Sequence, residues 1–231
     1  MTGIRTTGIR AALFAVPVVL GLLGLLGLLG LLGTAAAPVG AVGSVDSRAA
    51  GTGGSRPGEP LTCRGEGVVP DALVRHRTEI VIAAPLRTIW KLQTDVERWP
   101  SWQAPVESAE RLDGGPLRRG SAFRWTMPIP PIPSILATRL DITSTVRQID
   151  PHSCIRWTGP AIGEGLRIEG VQVWTFTKVR GGVRVSTEET HTGPQVEADV
   201  PTANALLREG LEGWLRDLKS AAEARAHDGL R

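Results

Sequence analysis

The sequence predicts an α+β domain: a curved antiparallel sheet of about seven strands wrapped on a long C-terminal helix, with two short helices after the first strand. Three observations predict it. From Val106 to Thr192 the chain reads as strand-length segments separated by turn signals, and strands joined by short turns pair antiparallel. From about Pro201 to Ala224, the residues Leu207, Leu211, Trp214, Leu218 and Ala221 recur at spacings of 4, 3, 4 and 3, one apolar stripe of a helix. The segment IVIAAPLRTIWKLQTDVERWPSW, residues 80–102, reads as a strand, a helix that starts at a proline, and a second short helix.

Ahead of the domain, Arg5 and Arg10 precede an uncharged run over residues 11–33, and alanines and Pro38 follow. A basic segment, an apolar run and small residues make a secretory signal pattern. About 20 apolar residues also suffice to span a bilayer. Residues 1–37 are therefore expected to be a signal peptide, cut after Ala35 or Ala41, or a signal anchor with membrane contact through residues 11–33. Either places the rest outside the cytoplasm, secreted or anchored, because the positive flank stays inside. Residues 38–70 are rich in Gly, Ala, Ser and Pro without hydrophobic period and read as a flexible linker, leaving residues 71–226 as the domain.

Within the domain, Arg77–Ile82 is rich in β-branched residues and reads as the first strand. Pro85 suits the opening of a helix with Ile89, Trp90 and Leu92 on its apolar face. Asp95 is placed to cap the second helix, and Pro100 to stop it. Strands are expected at Val106–Leu112, Gly120–Met127, Ile135–Ile149, Ser153–Gly159, Gly165–Val179 and Val183–Thr192. Between the second and third of these, the run from Met127 to Ser134 (MPIPPIPS) lacks the donors for a regular ladder and is expected to be a loop. Asp199 and Thr202 are cap candidates for the last helix. Gly210 and Gly213 inside that helix each cost about 1 kcal/mol against alanine. Room for a cavity and close approach of helix to sheet are two reasons to keep them.

Composition narrows the function. The formal charge is +3, and outside residues 1–66 the chain carries 21 cations against 20 anions, scattered rather than in a stripe. That argues against a nucleic-acid binder. Cys63 and Cys154 either pair in an oxidising compartment or remain a mobile thiol and a small buried side chain. No CxxC pair or Cys/His cluster suggests a metal, and no HExxH, GxSxG, Walker or dinucleotide pattern is present, so no cofactor is expected. There is no tyrosine, so phenol donors are absent from any pocket.

Three stretches carry a family likeness. IVIAAPLRTIWKLQTDVERWPSW has an aliphatic strand, Ala-Pro, an aromatic in the first helix, then Asp-x-x-x-Trp-Pro-x-Trp. STVRQIDPHSCIRWTG has the V-x-x-x-D-P-x-x-x-I-x-W hairpin, and WTFTKVRGGVRVSTEET has W-x-F-x-x-x-x-G-G-x-x-V followed by acids. In this order, over about residues 74–224, they resemble the polyketide cyclase/dehydratase branch of the START-like (SRPBCC) superfamily. The resemblance implies the helix-grip fold. It also implies an apolar ligand cavity, in a superfamily of lipid and hormone carriers, plant defence proteins and polyketide aromatase/cyclases. The export leader and the Pro-rich loop depart from typical cytosolic members.

Strand parity then sorts candidate residues. Val185 facing inward brings Thr187, Glu189 and His191 with it, and Trp174 and Phe176 share their inner face with Gln172, Ile168 and Leu166. The expected cavity takes Trp90, Phe123, Arg139, Trp157, Trp174, Phe176, Glu189, His191, Leu211 and Trp214, with Ile129 and Ile132 at its mouth. Arg139 and Asp141 share a face of their strand that parity leaves open, and Trp99 and Trp102 read as a corner at the sheet edge. Three functions fit. One is an exported, monomeric binder of a lipid- or polyketide-like hydrophobic small molecule. Another is a cyclase or dehydratase in which Glu189 accepts a proton from a carbon next to a carbonyl while His191 or Arg139 orients the oxygen. The plain alternative for Glu189 is a solvated pair with an arginine. The third is a membrane-tethered interaction module that docks a partner through the Pro-rich loop 128–133.

Overall fold

The computed structural model describes residues 59–129 and 138–228. The leader, residues 38–58, Ile132 and loop residues 130–137 lie outside them.

Seven antiparallel strands form one open sheet in the order β1-β7-β6-β5-β4-β3-β2. They are β1 (Val74–Ile82), β2 (Ser108–Arg111), β3 (Ala122–Ile129), β4 (Thr138–Asp150), β5 (Cys154–Gly163), β6 (Leu166–Val179) and β7 (Gly182–Thr192). Strands β2 to β7 are a meander, as the turn spacing predicts, and β1 returns to pair with β7 along its full length, Val74 opposite His191 and Ile82 opposite Val183. Tight turns make the hairpins. His152 (φ 65°) turns β4 into β5, and Gly181 and Gly182 (φ 89° and 149°) turn β6 into β7. A Cβ on Gly182 would sit 2.1 Å from the Ile82 carbonyl oxygen, so the β1 neighbour forbids any side chain there.

Helix α1 (Leu86–Thr94) buries Ile89, Leu92 and Gln93, and a 3₁₀ helix (Val96–Ser101) buries Val96 and Trp99. A four-residue helix, α2 (Pro194–Glu197), had no separate sequence signal. The long helix α3 (Val200–Asp228) lies against the inner face of the sheet. Asp199 caps it, its Oδ1 accepting from the Thr202 N–H at 3.2 Å. Near its other end Lys219 donates to the Val81 carbonyl at 3.0 Å, and Glu223 accepts from the Ala83 N–H at 2.8 Å, so the helix is pinned to the end of β1.

The interior is divided. Around the C-terminal half of α3 the core is solid, with Ile89, Trp99, Phe123, Trp174, Val185 and Leu218 fully buried. Around its N-terminal half the sheet wall is Leu140, Ile142, Ala161, Leu166 and Ile168, facing Leu207 and Leu211. A third cluster lies on the outer face, where Leu61, Cys63 and Val68 cover Cys154 and Val173.

The structure corrects several expectations. Residues 59–70, read as the end of a linker, form a strap over β5, β6 and β7. Cys63 is disulfide-bonded to Cys154, the Leu61 N–H donates to Glu188 Oε2 at 2.7 Å, and Arg156 Nε donates to the Gly67 carbonyl at 2.7 Å. Glu188 is 2% exposed and takes Arg75 Nε at 2.7 Å as well, so the strap and β1 satisfy a carboxylate that faces away from the cavity. Asp95 makes no side-chain cap, because it is already the C-cap of α1, its N–H donating to the Lys91 carbonyl. Pro100 lies inside the 3₁₀ helix rather than after it. Trp99 is 1% exposed and central, with the rings of Phe123, Trp125, Trp157 and Trp214 at 5.4, 5.6, 6.0 and 4.9 Å, rather than at an edge corner. Met127, Pro128 and Ile129 continue β3 opposite Leu140, Arg139 and Thr138. Proline is tolerated there because β2 pairs only as far as Thr126, which leaves Pro128 with one neighbouring strand. The buried stripe of α3 is Leu207, Leu211, Leu215, Leu218 and Ala222; Trp214 and Ala221 flank it, half-buried.

Candidate functional site

Between the N-terminal half of α3 and the inner face of β3–β7 lies a cavity of about 560 Å³, within the range of small-molecule sites. Its sheet wall follows strand parity. Trp125, Met127 and Ile129 come from β3, and Leu140, Ile142 and Ser144 from β4. β5 gives Trp157, Gly159 and Ala161, and β6 gives Leu166, Ile168, Gly170 and Gln172. Glu189 and His191 of β7 complete the wall, and Leu207, Gly210, Leu211, Gly213 and Trp214 of α3 face it.

Four glycines line the cavity. Gly159 and Gly170 face each other across β5 and β6, and both line the cavity. A Cβ on Gly159 would meet the Thr143 carbonyl oxygen at 1.8 Å, so β4 and β5 close over a backbone that admits no side chain. Gly210 has no described atom within 4 Å of the place its Cβ would take, and at Gly213 the nearest is an Arg216 guanidinium nitrogen at 3.7 Å. Of the two sequence-based reasons for glycine in α3, close helix–sheet approach does not hold; Gly210 is exposed and Gly213 half-buried, both at the cavity.

The indoles at this wall are satisfied inside the protein. Trp125 Nε1 donates to Ser144 Oγ at 3.2 Å, Trp157 Nε1 to Gln172 Oε1 at 2.9 Å, and Trp214 Nε1 to Gln93 Oε1 at 3.1 Å. Gln172 passes the chain on, its Nε2 donating to Thr187 Oγ1 at 3.2 Å, so a polar seam crosses β5, β6 and β7 where the cavity meets the solid core. Glu189 Oε1 and His191 Nε2 are 3.0 Å apart on one wall, both half-buried. A carboxylate only accepts, so with Glu189 ionised His191 Nε2 is the donor of the pair. Gln103, just after the 3₁₀ helix, lines the cavity at 1% exposure, and its Oε1 has no hydrogen-bond partner among the described residues.

Of the residues expected at the cavity, Trp157, Glu189, His191, Leu211, Trp214 and Ile129 line it. Four do not. Phe123, Trp174 and Phe176 are on the correct face but in the solid half of the core, and Trp90 packs edge-on to Phe176 at 5.2 Å. Parity chooses a face; it does not say how far along a strand the hollow begins. Arg139 is exposed on the outer face with Asp141, opposite Pro128, and so cannot orient a ligand in the cavity. Glu189 pairs with His191 rather than with an arginine. Sequence reasoning missed Leu140, Ile142 and Ser144, which the alternation of β4 carries once Arg139 is placed outside. It also missed Gln103 and Gly159, which have no local signal. A second cavity, about 380 Å³, lies on the outer face among Arg119, Arg147 and Arg156. No group of three or more His, Cys, Asp or Glu side chains suited to a metal occurs among the described residues.

A family model described as "Polyketide cyclase / dehydrase and lipid transport" matches residues 74–223. A candidate polyketide cyclase of Streptomyces halstedii is 42% identical over 53 residues, which are 23% of this chain and 45% of that protein. The alignment thus spans less than half of that curated relative. Among solved structures, a START superfamily protein from Mycobacterium smegmatis superposes with a TM-score of 0.51 at 16% identity, covering 65% of this chain and 97% of that one. A protein of Thermus thermophilus gives 0.51 at 21% identity, covering 66% and 99%. The di-domain ARO/CYC StfQ of the steffimycin biosynthetic pathway gives 0.50 at 18% identity, covering 67% of this chain and 52% of that one. These likenesses establish the fold.

Proposed function

The chain belongs to the polyketide cyclase / dehydrase and lipid transport family, and from that premise we propose that it binds a hydrophobic, lipid- or polyketide-like small molecule between α3 and the sheet. The observation that carries this is the cavity itself: about 560 Å³, walled by apolar side chains and three tryptophans, in a protein whose other half is packed solid. Cores normally fill to crystal-like density, and a void of this size forfeits dispersion and helix propensity at once. Glycines at 159, 170, 210 and 213 line it. Native mass spectrometry and lipid extraction of the purified protein test the reading. A bound apolar molecule, displaced when Gly210 is replaced by leucine, is the expected result; a cavity that accepts no apolar probe refutes it.

A second reading has its own observation. Glu189 and His191 form a 3.0 Å pair on a mostly apolar wall. In a cyclase or dehydratase, Glu189 would take a proton from a carbon next to a carbonyl, with His191 holding the carboxylate in place. Glu189→Gln then abolishes turnover of a substrate while the fold stays intact; unchanged turnover removes Glu189 from the chemistry.

We place the protein outside the cytoplasm, released or held by its N-terminal apolar segment. The signal pattern of residues 1–37 supports this, and so does the Cys63–Cys154 disulfide, which persists in oxidising compartments. No helix among the described residues is long and apolar enough to cross a membrane, and residues 11–33 are not among them. Sequencing the N-terminus of the mature protein separates cleavage from anchoring.

A further inference from the structure

The polar groups of the cavity are unequal in kind. Four carboxyl side chains, Glu189, Asp199, Glu209 and Asp217, line it, against one guanidinium, Arg216. Arg216 is exposed and already faces Glu212 at 4.0 Å. The indole N–H groups of Trp125, Trp157 and Trp214 all point to acceptors within the protein. The start of α3, a positive helix end, is taken by the Asp199 cap. The charged groups at the cavity are therefore mostly carboxylates, beside the neutral hydroxyls of Ser144 and Thr202, the Gln103 and Gln195 amides and the His191 ring.

Gln103 adds an independent observation. It is 1% exposed at the cavity wall, and its Oε1 has no donor among the described residues. A buried amide oxygen left unpaired costs about 1–3 kcal/mol, a cost that a donor from a ligand or a water would offset. The terminal torsion of glutamine is soft, which lets the amide turn to meet it.

We infer that the cavity selects apolar molecules that carry hydrogen-bond donors, as a hydroxyl, a phenol or an amine, and discriminates against carboxylates and other anionic amphiphiles. The inference rests on the reading of the cavity as a ligand site and adds the chemical class. An anionic head group would meet three half-buried carboxylates, Glu189, Asp199 and Asp217, with Glu209 and Arg216 both exposed at the rim. A donor would complete Gln103 or Glu189, and an ammonium gains further from the indole faces. The selectivity runs against the overall charge of the protein, which is +3 and would by itself favour an acid over an amine.

Three probes of one chain length test it: dodecylamine, dodecanol and dodecanoic acid, titrated calorimetrically at pH 7 below their aggregation limits. The amine and the alcohol are expected to bind at least about tenfold more tightly than the acid. In the Glu209→Gln/Asp217→Asn double variant the amine-to-acid ratio is expected to fall severalfold. Binding of all three with the acid as tight as the amine overturns the selectivity and leaves the cavity reading standing. An unchanged ratio in the double variant overturns the role of these carboxylates. Binding of none overturns the cavity reading and the inference with it.

Discussion

Replacing Gly210 with alanine should stabilise this protein, and replacing it with leucine should empty the cavity of ligand. The first effect follows from backbone entropy. Glycine inside a helix costs about 1 kcal/mol against alanine, provided the new Cβ meets nothing. At Gly210 no described atom lies within 4 Å of that Cβ, and at Gly213 the nearest is the far end of a flexible arginine at 3.7 Å. Gly210→Ala alone should raise the unfolding midpoint by about 2–4 °C, the shift that 1 kcal/mol produces in a domain of this size. Adding Gly213→Ala should bring the total to about 2 kcal/mol. Leucine keeps the propensity gain and adds four carbons at the exposed rim of the cavity that Gly210 lines. Thermal and urea melts followed by tryptophan fluorescence read the first effect, and titration with dodecanol reads the second. Gly210→Leu should stay at least as stable as the parent and bind at least about tenfold more weakly. A destabilised Gly210→Ala would mean that the glycine serves close packing after all. Undiminished binding by Gly210→Leu would mean that ligand goes elsewhere.

The Cys63–Cys154 disulfide closes a loop with a sequence separation of 91, for which chain entropy gives about 4–5 kcal/mol. Adding reductant should therefore lower the urea midpoint sharply and expose residues 59–70 to protease, whereas an unshifted midpoint would show that the remaining strap contacts suffice. Asp113 is held below the ordinary carboxylate value, first by its hydrogen bond from Arg111 and then by that from Ser121. A lowered folded-state value stabilises above the ordinary one, and the contribution is lost as pH falls through the lowered value. Asp113→Asn should accordingly flatten the acid limb of the stability profile, and an unaltered limb would place the acid sensitivity elsewhere.

The sheet and the long helix were legible because their signals are periodic. Turn residues at 150–152 and 181–182 set the hairpins, and parity put Glu189, His191 and Gln172 on the inner face, where they are. Three things were not legible, each for a physical reason. The strap looks like linker because its apolar residues, Leu61, Cys63 and Val68, have no period; they cover a sheet face one contact at a time. Trp99 looked peripheral because its neighbours in sequence are polar, yet the ring reaches the centre through a short helix. The depth of the hollow could not be read because Trp157 and Trp174 are the same residue type on the same face, yet Trp157 borders the cavity and Trp174 does not.

Adjacent residues of β7 carry carboxylates with different partners. Glu188 faces outward to Arg75 and the Leu61 amide, and Glu189 faces inward to His191. Because side chains alternate, a one-residue slip of β7 that carried Glu188 into the place of Glu189 would bring Thr187 into the place of Glu188. The carboxylate bound to the strap would enter the cavity, and its guanidinium would be left facing a neutral side chain on the outside. The strap therefore acts as a register gauge. It reads the back of the strand and thereby determines which residues a ligand meets on the front, although no described residue of the strap lines the cavity.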